Sequence, residues 1–260
     1  MTDLPVFLIN LDGSDARLAA ARTALQAQGI AFVRIAAHDG RGQAPQEVPA
    51  YSSAGTRAKM GRDLTGGEVG CYLSHIRAAQ AFVDTGAPFG LVLEDDIAPS
   101  GQAQAVITAL LRWQTARGTP DWHLCHLGAW RDKYTTPLAT LPVGDAVIKR
   151  AHYFPVTTPA LLWTRAGAQA FLDLALPITA PVDHILRTWL TRTDMGIAVT
   201  PHVFKTTQTA SDIDSAQAKR HKDGRSPLYG WLKAKRMYGD KWRAWQHQRR
   251  RARAATADRP

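Results

Sequence analysis

Apolar and polar positions along the first 36 residues follow the order strand, helix, strand. Residues 6–11 form a short apolar run that is typical of a buried strand. An Ala- and Leu-rich helical segment follows Ser14, a residue suited to cap it, and ends at Gly29; residues 30–36 form a second apolar run. A strand-helix-strand unit predicts a parallel sheet, which binds ligands at the carboxyl ends of its strands.

The alternation of helical and strand patterns continues along the chain. Residues 38–63 lack a convincing period and contain Gly, Pro and scattered charge, so we expect a long loop there. Thr65 and Glu68 then have the spacing of a capping box at the start of a helix that runs to about Gly86. The later patterns predict strands at 91–93, 122–127 and 160–163, and helices at 102–117, at 166–174 and from Pro181 onward. The pattern therefore predicts an α/β protein.

Three consecutive carboxylates, Glu94, Asp95 and Asp96, follow directly after the apolar run 90–93. Adjacent acids at a strand end repel one another and stay ionised mainly where a cation or strong donors compensate them. Hard oxygen ligands of this kind suit Mg²⁺ or Mn²⁺, typically bound together with a substrate's phosphates. A solvated acidic turn after a buried strand is the alternative, and the triplet alone leaves both interpretations open.

Charge is distributed unevenly over the 260 residues, 45% of which are hydrophobic. The net charge is +10, but residues 219–260 hold 14 Lys/Arg and three acids, so residues 1–218 are nearly neutral. We therefore divide the chain into a globular domain, 1–218, and a basic, aromatic-rich tail, 219–260. Cys71 and Cys125 lie in apolar segments without metal-ligand spacing, which favours reduced core thiols. Because the first residues lack a basic region and a long apolar run, we expect a cytoplasmic protein.

The tail combines aromatic and cationic residues at helical spacing. Its apolar positions fall on one stripe of a helix surrounded by Lys and Arg: Leu228, Trp231, Tyr238, Trp242 and Trp245. This composition is typical of an interfacial helix and predicts peripheral binding to an anionic membrane surface, here the inner face of the cytoplasmic membrane. The alternatives are a solvated tail with aromatics packed on the body, and a nucleic-acid-binding segment. The second leaves the acidic triplet and the near-neutral body unexplained, so no nucleic-acid partner is expected.

Several blocks of the sequence, in order, resemble glycosyltransferase family 25, whose members build bacterial lipopolysaccharide and lipooligosaccharide and include relatives that glycosylate collagen. The blocks are residues 7–12 with Arg17, residues 37–40, residues 64–75, residues 91–96, residues 181–184 and residues 211–213. The Gly-Glu-x-Gly-Cys-x-x-Ser-His stretch within 64–75 is the most specific. Gly13 departs from the family, which more often has a side chain there, and residues 41–62 do not align by eye.

The resemblance implies a GT-A-like, Rossmann-type fold with a mostly parallel sheet flanked by helices. It also implies an inverting transfer of a hexose, most commonly galactose from UDP-galactose. The acceptor would be a saccharide or lipid-linked saccharide of lipopolysaccharide or another surface glycan. In such a transfer a divalent metal, Mn²⁺ or Mg²⁺, offsets the charge of the departing nucleoside diphosphate. We assign Asp96 as the main metal ligand, with Glu94 or Asp95 next.

Further residues are expected to bind the donor. Their positions at strand ends, their charge or their place in the family blocks single them out: Asn10, Asp12, Arg17, Asp39, Gly40, Ser74, His75, Glu94 and Asp95. Arg17 is equally interpreted as a solvated helix residue, Asp39 and Gly40 as an ordinary turn, and Ser74 with His75 as a helix-packing pair.

An inverting transfer also needs a base for the acceptor hydroxyl. Asp183, after the metal motif and near a helix start, is our candidate by analogy with other inverting GT-A enzymes, and His184 is a weaker one. Asp183 as a simple helix cap is the alternative. A metal-dependent nucleotidyltransferase or phosphohydrolase is the second functional hypothesis, because it would share the acids at the strand tip.

Overall fold

A computed structural model describes residues 4–128, 133–207 and 224–257. The strands are β1 Val6–Asn10, β2 Val33–Ala36, β3 Phe89–Glu94, β4 Ile97–Pro99, β5 Leu124–His126, β6 Thr135–Thr140, β7 Val147–Ala151, β8 Ala160–Thr164, β9 Gly196–Thr200 and β10 Phe204–Thr206. The helices are α1 Asp15–Gln26, α2 Ser53–Met60, α3 Gly66–Asp84, α4 Ala103–Ala116, α5 Arg165–Leu174, α6 Val182–Thr193 and α7 Tyr229–Ala257, with a 3-10 turn at Pro45–Glu47.

Eight strands form one sheet in the order β2-β1-β3-β8-β5-β9-β7-β6, and β4 pairs with β10 in a second, two-stranded sheet. β1 pairs in parallel with both β2 and β3, as the strand-helix-strand unit predicts. β8 and β7 run against the other six strands of the large sheet. The predicted α/β class with a mostly parallel, Rossmann-type sheet is confirmed.

The large sheet is covered by helices on both faces because alternate strand residues point to opposite sides. In β1, Phe7 and Ile9 join the core that contains the buried sides of α3, α5 and α6. Val6 and Leu8 join the core on the other face, with residues of α1 and α4. The apolar residues of the strands therefore fill two cores, one on each face of the sheet.

The capping box at the start of α3 is confirmed. The Glu68 N–H donates to Thr65 Oγ1 at 3.0 Å, and the Thr65 N–H donates to Glu68 Oε2 at 2.8 Å. Ser14 occupies the predicted N-cap position of α1, but its hydroxyl forms no capping hydrogen bond. Pro181 is at the N-cap of α6 and therefore lies one residue before the first turn in which we expected it.

The prediction of an irregular loop over 38–63 is wrong in part. The region contains the 3-10 turn and α2, which begins after Ser52, whose Oγ accepts from the Gly55 N–H at 3.1 Å. α2 ends at Met60 and is capped by the next residue, Gly61, which has a φ of +72°. The helix is only eight residues long and most of it is polar or small, so no apolar period indicates it.

From Tyr229 onward the described part of the tail is a single long helix, α7, that packs against α6 and α2. The predicted boundary between residues 218 and 219, and the block 211–213, lie outside the described residues. Among the described residues, no helix combines the length and the apolar character needed to cross a bilayer.

Candidate functional site

The acids and the polar residues of the first strand meet at the carboxyl ends of β1, β2 and β3. Ile9 pairs with Glu94 across β1 and β3; Asn10 is the last residue of β1, and Asp95 follows β3 directly. A cavity of about 180 Å³ opens at this edge. It is lined by Ile9, Asn10, Leu11, Arg17, Ala37, His38, Asp39, Gly40, Arg41, Gly67, Cys71, Ser74, His75, Glu94, Asp95 and Asp96. The structure thus collects nine of the predicted donor and metal residues in one cavity.

Asp95 is held by two side chains of the first strand-helix unit. Asn10 Nδ2 donates to Asp95 Oδ2 at 2.7 Å, and the Arg17 guanidinium pairs with Oδ1. Asn10 is buried and is fixed in turn by Arg34 Nε, which donates to its Oδ1 at 2.8 Å. Burial raises the pKa of Asp95, and the contacts with Asn10 and Arg17 oppose the rise. Both oxygens of this carboxylate therefore have partners.

Asp96 lacks such partners on one oxygen. Its Oδ2 lies 3.9 Å from the Arg17 guanidinium, while Oδ1 is buried and has no hydrogen-bond partner in the described part of the chain. Burial raises the pKa of Asp96 to about 6, and the charge of Glu94 adds to the rise while Arg17 opposes it. A buried carboxylate oxygen without a donor is costly, so this atom is the one that a cation would satisfy best.

Glu94 faces α3 and β8. Thr158 Oγ1 donates to Glu94 Oε1 at 2.5 Å, and His75 Nε2 lies 3.2 Å from the same oxygen. Burial by itself would raise the pKa of Glu94, but the hydrogen bonds with His75 and Thr158 outweigh it and lower the pKa. Glu94 is therefore favoured as a carboxylate before any ligand binds.

A second set of metal-ligand atoms lies beside Glu94. Cys71, His75 and Glu94 place one ligand atom each within 4.8 Å of one another. Cys71 is half-buried and lines the cavity, whereas Cys125 is fully buried in the core. Burial raises the pKa of the Cys71 thiol, and the carboxylates of Glu94 and Asp183 raise it further. The sequence did not indicate this group, because Glu94 is far from Cys71 along the chain.

Glycines allow the start of α3 to pack directly against the loop after β2. A Cβ on Gly66 would lie 2.0 Å from the Gly40 carbonyl oxygen, and a Cβ on Gly70 would lie 2.5 Å from the His38 carbonyl oxygen. Ser74 Oγ accepts from the His38 N–H at 2.9 Å and donates to the Gly70 carbonyl at 2.7 Å. This packing explains the Gly-Glu-x-Gly-Cys-x-x-Ser-His stretch, which holds one wall of the cavity in place.

Two predicted donor residues are engaged at the surface. Asp39 lines the cavity and is bound by Arg41, whose side-chain hydrogen bonds lower the pKa of Asp39 to about 2. Asp12 is exposed, pairs with Arg34 at 2.5 Å and lies outside the lining of the cavity. Asp12 therefore anchors Arg34, which in turn fixes Asn10.

The candidate base lies at the start of α6, outside the cavity lining. Asp183 Oδ2 accepts from the Thr157 N–H at 3.4 Å, and its charge is among those that act on Cys71. His184 is half-buried, and Arg187 Nη2 donates to its Nδ1 at 2.9 Å. Burial lowers the pKa of His184, which favours a neutral ring. Asp183 is thus near the cavity, on the side of β8 and α6.

Sequence reasoning missed Arg34, Arg41 and Thr158, in addition to His38 and Cys71 in the lining of the cavity. Arg34 is the one charged residue in the apolar segment 30–36. A charged residue inside a predicted strand is unusual, and this could have identified Arg34 as a candidate. Arg41 follows Asp39 in a segment without a period, and Thr158 lies 64 residues from Glu94. For these two residues no local pattern indicates the contact.

A larger cleft, of about 830 Å³, lies near the amino end of β1. Leu4, Val6, Ile30, Ile107 and Leu111 supply much of its lining, and Arg112 is its one charged residue. The cleft has the volume for a ligand but no cluster of titratable groups. We therefore place the candidate chemistry at the smaller, polar cavity.

Residues 3–186 match the model of glycosyltransferase family 25 (LPS biosynthesis protein). The match covers more than half of the chain, so this chain belongs to glycosyltransferase family 25, as the resemblance predicted. It spans every residue assigned to the cavity.

Two relatives carry names that specify a sugar. Procollagen galactosyltransferase 1 of Danio rerio is 30% identical over 190 residues, which are 70% of this chain and 30% of the relative. Procollagen galactosyltransferase 2 of Mus musculus is 28% identical over 141 residues, which are 53% of this chain and 22% of the relative. The matched part is therefore less than a third of either relative.

One solved structure is a glycosyltransferase involved in the glycosylation of the major capsid of PBCV-1. It is 10% identical, and the match covers 84% of this chain and 99% of that chain at a TM-score of 0.40. At this TM-score the likeness adds nothing to the family assignment.

Proposed function

We propose that this chain is an inverting, divalent-metal-dependent glycosyltransferase with a GT-A-like fold that transfers galactose from UDP-galactose to a saccharide acceptor. The observation that carries the proposal is the polar cavity at the ends of β1, β2 and β3. There an arginine and three carboxylates converge, and one buried carboxylate oxygen has no partner in the described part of the chain. Family membership supplies the reaction class.

The cavity suits the diphosphate of a nucleotide sugar. Arg17 supplies a guanidinium fork, which fits phosphate oxygens. Its contacts with Asp95 and Asp96 hold it against the acids, so that positive and negative groups lie side by side. A diphosphate approaching Arg17 needs a further positive charge to offset these acids, and this requirement favours binding together with a divalent cation.

The residues present fit a divalent metal. Asp96 would bind it through its buried, unpartnered oxygen, and Glu94 would be the second protein ligand because its low pKa keeps it ionised. A metal bound there would offset negative charge on the departing UDP. Cys71, His75 and Glu94 form the alternative ligand set, but the raised pKa of the thiol disfavours the thiolate that binds softer metals.

Asp183 is the proposed base for the acceptor hydroxyl. It does not line the cavity, but its charge acts on Cys71, which does. Asn10, Arg34 and Asp12 act by positioning Asp95, and Ser74 acts by holding the His38 loop.

The names of the relatives and the family description support the choice of sugar and acceptor. Both relatives are named galactosyltransferases, which supports galactose, and the family model is described as an LPS biosynthesis protein, which supports a lipopolysaccharide or similar surface glycan as acceptor.

A donor screen tests the proposal. UDP, GDP, CMP and dTDP sugars are added with and without Mn²⁺, and the melting temperature and the released products are measured. We expect UDP-galactose with Mn²⁺ to raise the melting temperature most and to release UDP slowly by hydrolysis. Release of pyrophosphate instead would favour the nucleotidyltransferase hypothesis, and no response to any donor would contradict a nucleotide-sugar site.

A further inference from the structure

A stripe of exposed apolar side chains begins at Leu228, the residue before α7, and continues along the outer face of α7. The stripe residues, with their exposed fractions, are Leu228 59%, Trp231 57%, Tyr238 63%, Trp242 59% and Trp245 42%. In the described part of the chain only three other large hydrophobic residues are exposed, and these are Val33, Val156 and Leu176, far apart in sequence. Exposed apolar residues that are contiguous, unlike single ones, indicate an interaction surface.

The opposite face of α7 fixes the helix to the body. At about 100° per residue, Asp240 and Ala244 fall on the side away from the stripe, and both are buried. Arg187 Nε lies 3.6 Å from Asp240, and Arg251 Nε lies 2.8 Å from Asp194. The helix is therefore held along its length with the stripe directed outward. From Trp231 to Trp245 the stripe runs about 21 Å along the helix.

Cations accompany the stripe. Lys235 Nζ lies 4.8 Å from the ring centroid of Trp231, Lys241 Nζ 5.3 Å from that of Tyr238, and the Arg249 guanidinium 4.6 Å from that of Trp245. Residues 224–257 contain ten Lys/Arg and a single acid, Asp240, which is buried. The exposed face of α7 thus carries aromatic rings together with positive charges, and it carries no exposed acid.

We propose that the stripe of α7 binds the surface of an anionic lipid bilayer, with α7 parallel to the membrane plane. Amphipathic aromatic rings settle at the depth of the lipid headgroups, while Lys and Arg pair with anionic headgroups beside them. Each cation near such a surface strengthens partitioning about fivefold. The inference goes beyond the proposed function, since vesicle binding needs neither donor nor acceptor.

Two other binding partners fit the stripe less well, one because of its charge and the other because of its geometry. A second copy of the chain would bring two cationic stripes together, because no exposed acid within 224–257 complements them. A single-stranded nucleic acid would stack its bases on aromatic faces, but one face of Trp231, of Tyr238 and of Trp245 is already covered by a cation of the same helix.

Cosedimentation of the full chain with vesicles tests this proposal. One set of vesicles contains phosphatidylcholine alone, and the other also contains phosphatidylglycerol. We expect binding to the anionic vesicles only, weakened by added salt. The double variant Trp231→Ser/Trp242→Ser should bind at least tenfold more weakly, while Val33→Ser/Leu176→Ser, with two exposed apolar residues outside the stripe, should bind like the wild type.

Two double variants that each remove two positive charges show whether vesicle binding depends on the cations of the stripe or on the net charge of the protein. Lys235→Gln/Arg249→Gln removes two cations that lie over stripe aromatics and should weaken binding by about 25-fold. Arg22→Gln/Arg117→Gln removes two cations that lie over Phe32 and Trp113, elsewhere on the body, and should bind nearly normally. Melting curves confirm that each variant is folded.

Three results would overturn the proposal. The first is equal pelleting of the stripe variants and their controls, or no binding of the wild type to anionic vesicles. The second is a wild-type dimer in light scattering that Trp231→Ser/Trp242→Ser dissociates, which assigns the stripe to a second copy. The third is binding of a single-stranded oligonucleotide, tighter than vesicle binding and lost in the same variant. Donor hydrolysis, measured in parallel without vesicles, reports on the proposed function independently.

Discussion

The three adjacent carboxylates differ in the partners that the fold provides. Asp95 is bound by Asn10 and Arg17, and Glu94 by Thr158 and His75, whereas Asp96 retains a buried oxygen without a partner in the described residues. Consecutive residues after a strand point in different directions, so each acid meets different elements. The sequence predicts the acidic strand tip but not these different environments, because the partners come from four separate segments of the chain.

At the residue scale, replacement of Asp183 by Asn tests the proposed base. The amide keeps the size and an oxygen that can accept from Thr157, so folding, metal binding and donor binding should be retained. Acceptor-dependent turnover should fall by about 10² to 10⁴, since proton removal contributes factors of this size. The measurement is transfer rate alongside UDP affinity.

Asp173→Asn is the matched control for that experiment. Asp173 lies on α5 and accepts a hydrogen bond from Gln169 Nε2 at 3.0 Å, outside the cavity lining, so its variant should turn over normally. Turnover of Asp183→Asn within a few-fold of the wild type would remove Asp183 from the proposed role.

At the scale of elements, local signals were predictable and long-range contacts were not. The capping box of α3 involves residues three apart, so its spacing identifies it directly. α2 was missed because its eight residues have no apolar period. The contact of Gly40 with Gly66 has no local signature, although it decides where the wall of the cavity lies.

The glycine contact between α3 and the His38 loop should be sensitive to a single methyl group. In Gly70→Ala the Cβ would lie 2.5 Å from the His38 carbonyl oxygen, so the loop or the helix must move. We expect a loss of about 1–3 kcal/mol in the free energy of unfolding, the usual cost of overpacking. Urea denaturation measures this loss, and weaker UDP binding should accompany it.

Gly239→Ala is the control for the glycine variant. Gly239 lies within α7, and no atom lies within 4 Å of a Cβ built there. Alanine has the higher helix propensity, so the variant should be more stable by up to about 1 kcal/mol. If Gly70→Ala is as stable as the wild type, the close packing of α3 does not hold the loop.

At the scale of the whole molecule, the first strand-helix-strand unit was predictable and the rest of the sheet order was not. Strand patterns correctly located β8, yet β8 lies antiparallel between β3 and β5, which come earlier in the chain. Partner choice depends on contacts between residues far apart in sequence, and a strand pattern does not encode direction. The stripe of α7 can be predicted because its residues recur at helical spacing. The contacts of the opposite face with the body cannot be predicted, because Arg187 and Asp194 are far from α7 in sequence.

The pH dependence of stability should reflect the buried His126. Its Nδ1 accepts from the Gly128 N–H and its Nε2 donates to the Thr157 carbonyl, and burial lowers the pKa of His126 to about 4. The unfolded ring binds a proton below about pH 6.5, whereas the folded ring stays neutral down to about pH 4. The unfolded state therefore binds more protons in this window, and stability falls as the pH decreases through it.

We expect His126 to account for a loss of about 2 kcal/mol between neutral pH and about pH 5. His126→Asn keeps an acceptor for Gly128 but does not titrate, so its stability at neutral pH should be lower and its dependence on pH flatter. Urea denaturation at several pH values measures both slopes. Parallel slopes for the two proteins would show that His126 does not contribute.

The most direct test of the metal-dependent donor site is calorimetric titration of UDP into the wild type and Asp96→Asn, each with and without Mn²⁺. We expect Mn²⁺ to strengthen UDP binding to the wild type at least tenfold, a coupling of about 1.4 kcal/mol, and to have little effect on the variant. Equal enhancement by Mn²⁺ in both proteins, or none in the wild type, would contradict a metal and diphosphate site at Asp96.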